Sequence, residues 1–120
     1  MTLEKDVENL LEEAKSFAKD LDLHYMELYL SLAETLAETS SPEAKMDISK
    51  EVAKIVNDGY GDVAHDLLKR AKELSKEKKV RASGTSLSTA LACAYVAGLD
   101  VSKEVAEIRA LYSEAHKNGA

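Results

Sequence analysis

The chain has 120 residues, 45% of them hydrophobic, with one proline and five glycines, enough for one ordinary core and little disorder. Its lone cysteine, Cys93, excludes an internal disulfide and, set in the most apolar segment, fits a reducing, cytoplasmic setting. The net charge of −6 is unevenly spread: residues 1–66 hold 16 acidic and 6 basic side chains, whereas residues 69–81 hold seven basic and two acidic ones. Bulk charge therefore speaks against a nucleic-acid partner, while the basic stretch remains a local attractant for anions.

The acidic, amphipathic start MTLEKDVENLLEEAK reads as neither a signal nor a transit peptide. Thr2 is placed to cap a first helix with Glu4 in its first turn. Leu3, Val7, Leu10, Leu11, Ala14, Phe17, Ala18 and Leu21 then form one stripe, opposite Glu8, Glu12, Lys15 and Lys19. Asp22 caps a second helix, about 23–38, with two apolar faces. Met26, Tyr29, Leu30, Ala33, Leu36 and Ala37 make one; Tyr25, Leu28 and Leu32 make the other. Such a helix is either sandwiched between layers or exposes an aromatic patch.

Ser41-Pro42-Glu43 starts a third helix, with Met46, Ile48, Val52, Ile55 and Val56 inward. Asn57-Asp58-Gly59 is expected to stop it, Tyr60-Gly61 to turn, and Asp62 to cap a fourth helix. That helix has Val63, Ala64, Leu67, Leu68, Ala71 and Leu74 inward, and its basic last turn complements the helix dipole. Val80–Thr85 reads as a bend, with Ser83 or Thr85 capping the longest uncharged stretch, Ala82–Leu99. There Leu87, Ala90, Leu91, Ala94, Tyr95 and Val96 recur at helical spacing and Ala92, Cys93 and Ala97 fill the gaps, the pattern of a helix buried on every side. Its five Ser or Thr residues favour a soluble core helix over a membrane span. Gly98 closes it. Asp100 or Ser102 caps a sixth helix with Val101, Val105, Ile108, Leu111, Tyr112 and Ala115 inward, and Asn118-Gly119 ends it.

No segment alternates with a period of two. The expectation is a single all-α domain over residues 1–120: six helices in three antiparallel hairpins, a compact bundle around the fifth helix, with 85–97 most buried. A short α-solenoid is the alternative. The hairpins echo one another at 39 residues (Ala14, Ala53, Ala92; Phe17, Val56, Tyr95), and the string Ser-Lys-Glu-Val-Ala occurs at both 49–53 and 102–106.

The stretch Gly61-Asp62-Val63-Ala64-His65-Asp66-Leu67-Leu68-Lys69-Arg70-Ala71 resembles the second helix of a tetratricopeptide repeat, with Ala64, Leu68 and Ala71 at that family's small–large–small positions. Leu91–Gly98 resembles the end of the family's first helix and its turn. The likeness covers two partial hairpins and implies a peptide-binding scaffold. The tidy caps, short turns and repeated Ser-Lys-Glu-Val-Ala also resemble computationally designed helical proteins, an alternative in which the chain has no biological function.

Convergent catalytic chemistry is missing from the pattern, which favours a non-enzymatic interaction or scaffold module binding a protein or peptide partner, or self-associating. Tyr25, Leu28, Tyr29 and Leu32 are its candidate contact residues, because exposed aromatics mark interfaces. The alternative is an enzyme. Arg109 and His116, seven apart on the last helix, resemble the Arg-x6-His motif of HEPN ribonucleases, which implies metal-independent RNA cleavage with the arginine on the phosphate and the histidine in proton transfer. His24 with Glu27, and His65 with Asp66, fall short of a bundle metal site, and Asp58–Asp62 reads as a turn plus cap rather than a calcium loop. No cofactor, metal or membrane partner is called for. Lys79, Arg81, Ser83, Gly84, Thr85 and Ser86 form a candidate weak anion site of cations, hydroxyls and helix-start amides. A polar-lined cavity holding Tyr95 and Cys93 is a further candidate.

Overall fold

The computed structural model describes residues 3–117, and among these it is all-helical without strands. Five helices are present rather than the six expected: α1 (Leu3–Lys19), α2 (Leu23–Ala37), α3 (Pro42–Lys76), α4 (Val80–Ala97) and α5 (Ser102–Lys117). The three-hairpin layout goes with the sixth helix. The expected cap at Thr2 and stop at Asn118-Gly119 lie outside the described residues. The chain gathers into two compact units, Met1–Asp62 and Val63–Ala120.

In the first unit α1 packs along α2. Val7, Leu11, Ala14 and Ala18 of α1 meet Met26, Leu30 and Ala33 of α2 and Ile55 of α3 in one buried cluster. Lys15 ties α1 to α3 through Glu51 at 2.9 Å. Asp22 caps α2 as its sequence predicts, its Oδ1 accepting from the Tyr25 amide at 3.1 Å. Ser41 does the same for α3 through the Ala44 amide.

The expected break at Asn57–Asp62 is the main departure, because α3 runs straight through it. A glycine inside a helix costs about 1 kcal/mol relative to alanine. At Gly59 tertiary packing outweighs that cost. A Cβ there would stand 2.5 Å from the Met26 Sδ and 3.4 Å from the Ala18 Cβ, so the missing side chain lets α3 seat directly on α1 and α2. Val52, Val56 and Tyr60 on the same helix pack against this core, and a stop at Gly59 would withdraw Tyr60 from it. Asp58–Asp62 is thus helix interior, not a turn plus cap.

In the second unit α3 buries Ala64, Leu68, Ala71 and Ser75. The bend expected at Val80–Thr85 lies earlier, at Glu77–Lys79. Lys78 takes a positive φ of 64°, its amide bonds to the Ser75 carbonyl and the Lys79 amide to that of Leu74. This pair of bonds is the Schellman closure, made again at Leu21 (φ 61°) and Gly98 (φ 67°). Neither Ser83 nor Thr85 is a cap. Lys79 holds that position without a side-chain bond, and the Ser83 amide already donates to the Lys79 carbonyl.

Nor is α4 buried all round. It buries Ser83, Leu87, Ala90, Cys93 and Ala94 and turns Leu91, Val96 and Tyr95 outward, the last 88% exposed. Beyond Arg81 its wet side carries no charge, and there Thr85 and Thr89 satisfy their hydroxyls on the backbone carbonyls of Arg81 and Thr85. Leu21 and Met46, assigned inward from spacing, are also exposed.

Two glycines test this packing. Gly84, in α4, has nothing within 4 Å of a would-be Cβ. Gly84→Ala should therefore stabilise the chain by about 0.5–1 kcal/mol in urea denaturation. Gly59→Ala gains the same propensity but must displace Met26, and overpacking of about 1–3 kcal/mol turns the net effect destabilising. Equal stabilisation by the two substitutions would show that α3 does not seat on Met26.

Candidate interaction face

Residues Tyr25, Leu28, Leu32 and Leu36 follow one another three or four positions apart on α2, which makes them one row. All four are exposed, Leu28 at 46% and Leu32 at 44%. Spacing groups Leu36 with Met26 and Leu30; the structure places it in the exposed row with Leu32 instead. The inner face is taken by Met26, Leu30, Ala33 and Ala37. Tyr29 sits between the two faces, half-buried. Its ring and that of Tyr25 both stack on Phe17 of α1, each with centroids 5.3 Å apart. The tyrosines are thereby held against α1, while the leucines stand clear. Of the expected contact residues, Tyr25, Leu28 and Leu32 share the exposed row, and Tyr29 forms its border towards α1.

The second unit contains a polar cluster that spacing alone does not reveal. Ser83, fully buried, has its Oγ 2.7 Å from the Ala71 carbonyl oxygen, 2.7 Å from the Ser75 Oγ and 2.8 Å from the Tyr112 hydroxyl. Ser75 also reaches the Ala71 carbonyl, at 2.9 Å. The three hydroxyls have one proton each for these four contacts, so one contact at a time lacks a proton. The arrangement ties α3, α4 and α5 together and leaves no hydroxyl orphaned. Lys72 and Glu107 add an exposed bridge from α3 to α5 at 3.0 Å.

A groove of about 480 Å³ lies between α4 and α5, lined by Leu91, Tyr95, Leu99, Val105 and Arg109 among others. His116 is exposed two turns beyond Arg109 on the same helix and is not part of this lining. The candidate Tyr95–Cys93 cavity is not formed: Cys93 is buried and Tyr95 points out. Burial pushes the Cys93 thiol up from its ordinary value, away from reactive thiolate character. Among the anion candidates, Lys79 and Arg81 are exposed near the start of α4, beside an open surface hollow. Ser83 is committed to the buried cluster, Thr85 bonds Arg81, and Gly84 and Ser86 are half-buried within the helix. Among the described residues, no three His, Cys, Asp or Glu side chains are grouped as a metal ion requires, and no helix is long and apolar enough to cross a membrane.

Three carboxylates are held below their ordinary values. The Lys15 ammonium lowers Glu51, hydrogen bonds from the Ser102 hydroxyl and amide lower Asp100, and the Lys72 ammonium lowers Glu107. Comparison of the chain with protein-family models, with curated proteins and with solved structures found no match.

Two measurements probe this organisation. Ser83→Ala removes the shared member of the buried cluster and should destabilise the chain by about 1–3 kcal/mol, and Tyr112→Phe by about 1 kcal/mol. A neutral Ser83→Ala would mean the cluster contributes nothing. The three depressed carboxylates stabilise the folded state above their ordinary values of 4.5 and 3.8, and that contribution is lost as pH falls through the lower folded values. The Tm should accordingly drop on acidification through this range. The combined Glu51→Gln, Asp100→Asn, Glu107→Gln variant should show a shallower acid limb, and an unchanged limb would assign the acid loss to other groups.

Proposed function

We propose that this chain is a non-enzymatic helical interaction module that engages a protein or peptide partner through the outer row of α2. The observation that supports it is the row itself: Tyr25, Leu28, Leu32 and Leu36 turned to water on a helix whose opposite face is fully used in the core. Burying a leucine side chain is favourable by about 1.5–3 kcal/mol, so a contiguous exposed row represents binding energy that the fold does not use. An apolar row on one helix, with anchors three and four residues apart, is also the pattern of helix-in-groove and helix-on-helix recognition. The tetratricopeptide-like small–large–small positions Ala64, Leu68 and Ala71, all buried, are in keeping with a scaffold role.

The test is the Leu28→Ser, Leu32→Ser double variant. It should keep its helical circular dichroism and lose no more than about 1 kcal/mol of stability, since both side chains are already exposed. It should also lose most of its retention on a phenyl matrix at moderate salt. A loss of several kcal/mol would make this face internal and end the proposal. Single-stranded RNA should be left intact by the chain. Cleavage that disappears in Arg109→Ala or His116→Ala would instead identify a ribonuclease.

A further inference from the structure

The charges that flank the α2 row bear on what could cover it. Leu10 and Phe17 of α1 pack against the same core as α2, and Phe17 stacks on Tyr25 and Tyr29, so this edge of α1 borders the row. Asp6, Glu13 and Asp20 recur every seven residues, each three or four positions from Leu10 or Phe17, and so line the outer side of that edge. The lysines Lys15 and Lys19 are on the other side of α1, in the cleft towards α3 with Glu51 and Asp58. Across the row from α1 the adjoining positions are His24, Ser31 and Thr35, three or four residues from Leu28 or Leu32; behind them, towards α3, α2 supplies Glu27, Glu34 and Glu38 and has no Lys or Arg in its length. Glu27 accepts a hydrogen bond from the Tyr60 hydroxyl, and Lys45 shares a crevice with Glu34 and Glu38. Even with Lys45 counted, the α1 edge and this far side of α2 are each net negative.

An apolar row with an acidic edge on α1, and with only acids among the charged groups behind its polar edge on α2, suits a ligand that is apolar along one stripe and cationic beside it. We infer that the partner of the α2 face is a basic amphipathic helix, its apolar stripe on Leu28 and Leu32 and its Lys or Arg side chains towards Glu13 and Asp20. This rests on the interaction-module reading above and adds the chemistry of the partner. A second copy of the chain is the poorer occupant, since stacking the face on itself sets acid against acid, which costs binding. An anionic lipid surface would be repelled in the same way.

The probe is a fluorescein-labelled, 18-residue amphipathic peptide with leucines on one helical stripe and lysines beside it, compared with the same peptide carrying glutamates for lysines. Anisotropy titrations at low salt should show the lysine peptide binding at least about tenfold tighter than the glutamate peptide. Raising salt to 0.3 M should weaken it about fivefold, because the charges are exposed. Leu28→Ser with Leu32→Ser, and separately Glu13→Lys with Asp20→Lys, should each weaken the lysine peptide about tenfold. Asp66→Lys with Glu114→Lys makes the same change in net charge in the other unit and should leave binding within about twofold, which separates a located site from bulk attraction.

Equal binding of both peptides, lost in Leu28→Ser with Leu32→Ser, would keep the interaction face and overturn the basic partner. Binding that survives that double variant would overturn both. Failure of both peptides, with sedimentation showing a dimer that the same variant disperses, would make a second copy the occupant and overturn the inference. Failure of both peptides with a monomeric chain would overturn it as well.

Discussion

The architecture of the first unit depends on the contact between Met26 and the bare backbone of Gly59. Met26 has no exposed surface, and its sulfur occupies the space where any side chain at position 59 would begin. Because α3 comes this close, Ile55 enters the cluster made by α1 and α2, and Val56 and Tyr60 close over it. Methionine suits the position: its unbranched, flexible thioether follows an irregular gap that a β-branched residue would not fill. The orientation of α2 follows from the same contact. With Met26, Leu30, Ala33 and Ala37 committed inward and Leu23 and Tyr29 half-buried beside them, Tyr25, Leu28, Leu32 and Leu36 are left facing outward.

This contact also explains where the sequence misleads. Asn57-Asp58-Gly59 has the local chemistry of a helix stop, and Asp62 that of a cap, yet a glycine that ends a helix and a glycine that admits a neighbouring helix look alike in one dimension. The converse holds at the true ends. Leu21 and Lys78 take the left-handed conformation that a reader looks for at glycine. For an L-residue that conformation costs about 1–2 kcal/mol. The paired closure bonds from the Leu21 and Asp22 amides, and from the Lys78 and Lys79 amides, accompany it. The string Ser-Lys-Glu-Val-Ala makes the same point in another way. At 49–53 it lies within α3, and at 102–106 it opens α5, where Asp100 accepts from the Ser102 amide. What differs is upstream: Ser41 and Pro42 have already started α3, whereas Gly98 has just closed α4.

The second apolar side of α2 was legible because its signal is compositional. Two apolar sides on one helix cannot both meet the same neighbour; the sequence leaves open whether the side of Tyr25, Leu28 and Leu32 is sandwiched or exposed, and the structure exposes it. Leu36 was not legible, since its spacing fits either face and only the burial of Ala37 and Ala33 decides between them. The Ser75–Ser83–Tyr112 cluster was out of reach for a different reason. A serine in an uncharged run can be a cap, a solvated hydroxyl or a buried partner, and the distinction depends on Ala71 and Tyr112, which approach it from other helices. The same ambiguity made α4 look apolar all round. Alanine, serine and threonine mark neither inside nor outside, so its wet face carried no sign of being wet.

That preference for small residues inside is the common thread. Ala14, Ala18 and Ala33 are buried in the first unit, and Ala64, Ala71, Ala90 and Ala94 in the second, while Leu28, Leu32, Leu91 and Tyr95 are outside. Helices that meet through alanine approach closely and gain packing, but each buried methyl contributes only about 0.8 kcal/mol, against about 1.5–3 kcal/mol for a buried leucine. Such a core leaves a smaller reserve over chain entropy than the same number of buried leucines would. Val7, Leu11, Met26, Leu30 and Ile55 supply the larger buried side chains of the first unit, while Leu28, Leu32 and Leu36 add nothing to its core. Any occupant of the α2 row that binds only the folded chain then adds its binding energy to the stability of the unit beneath it.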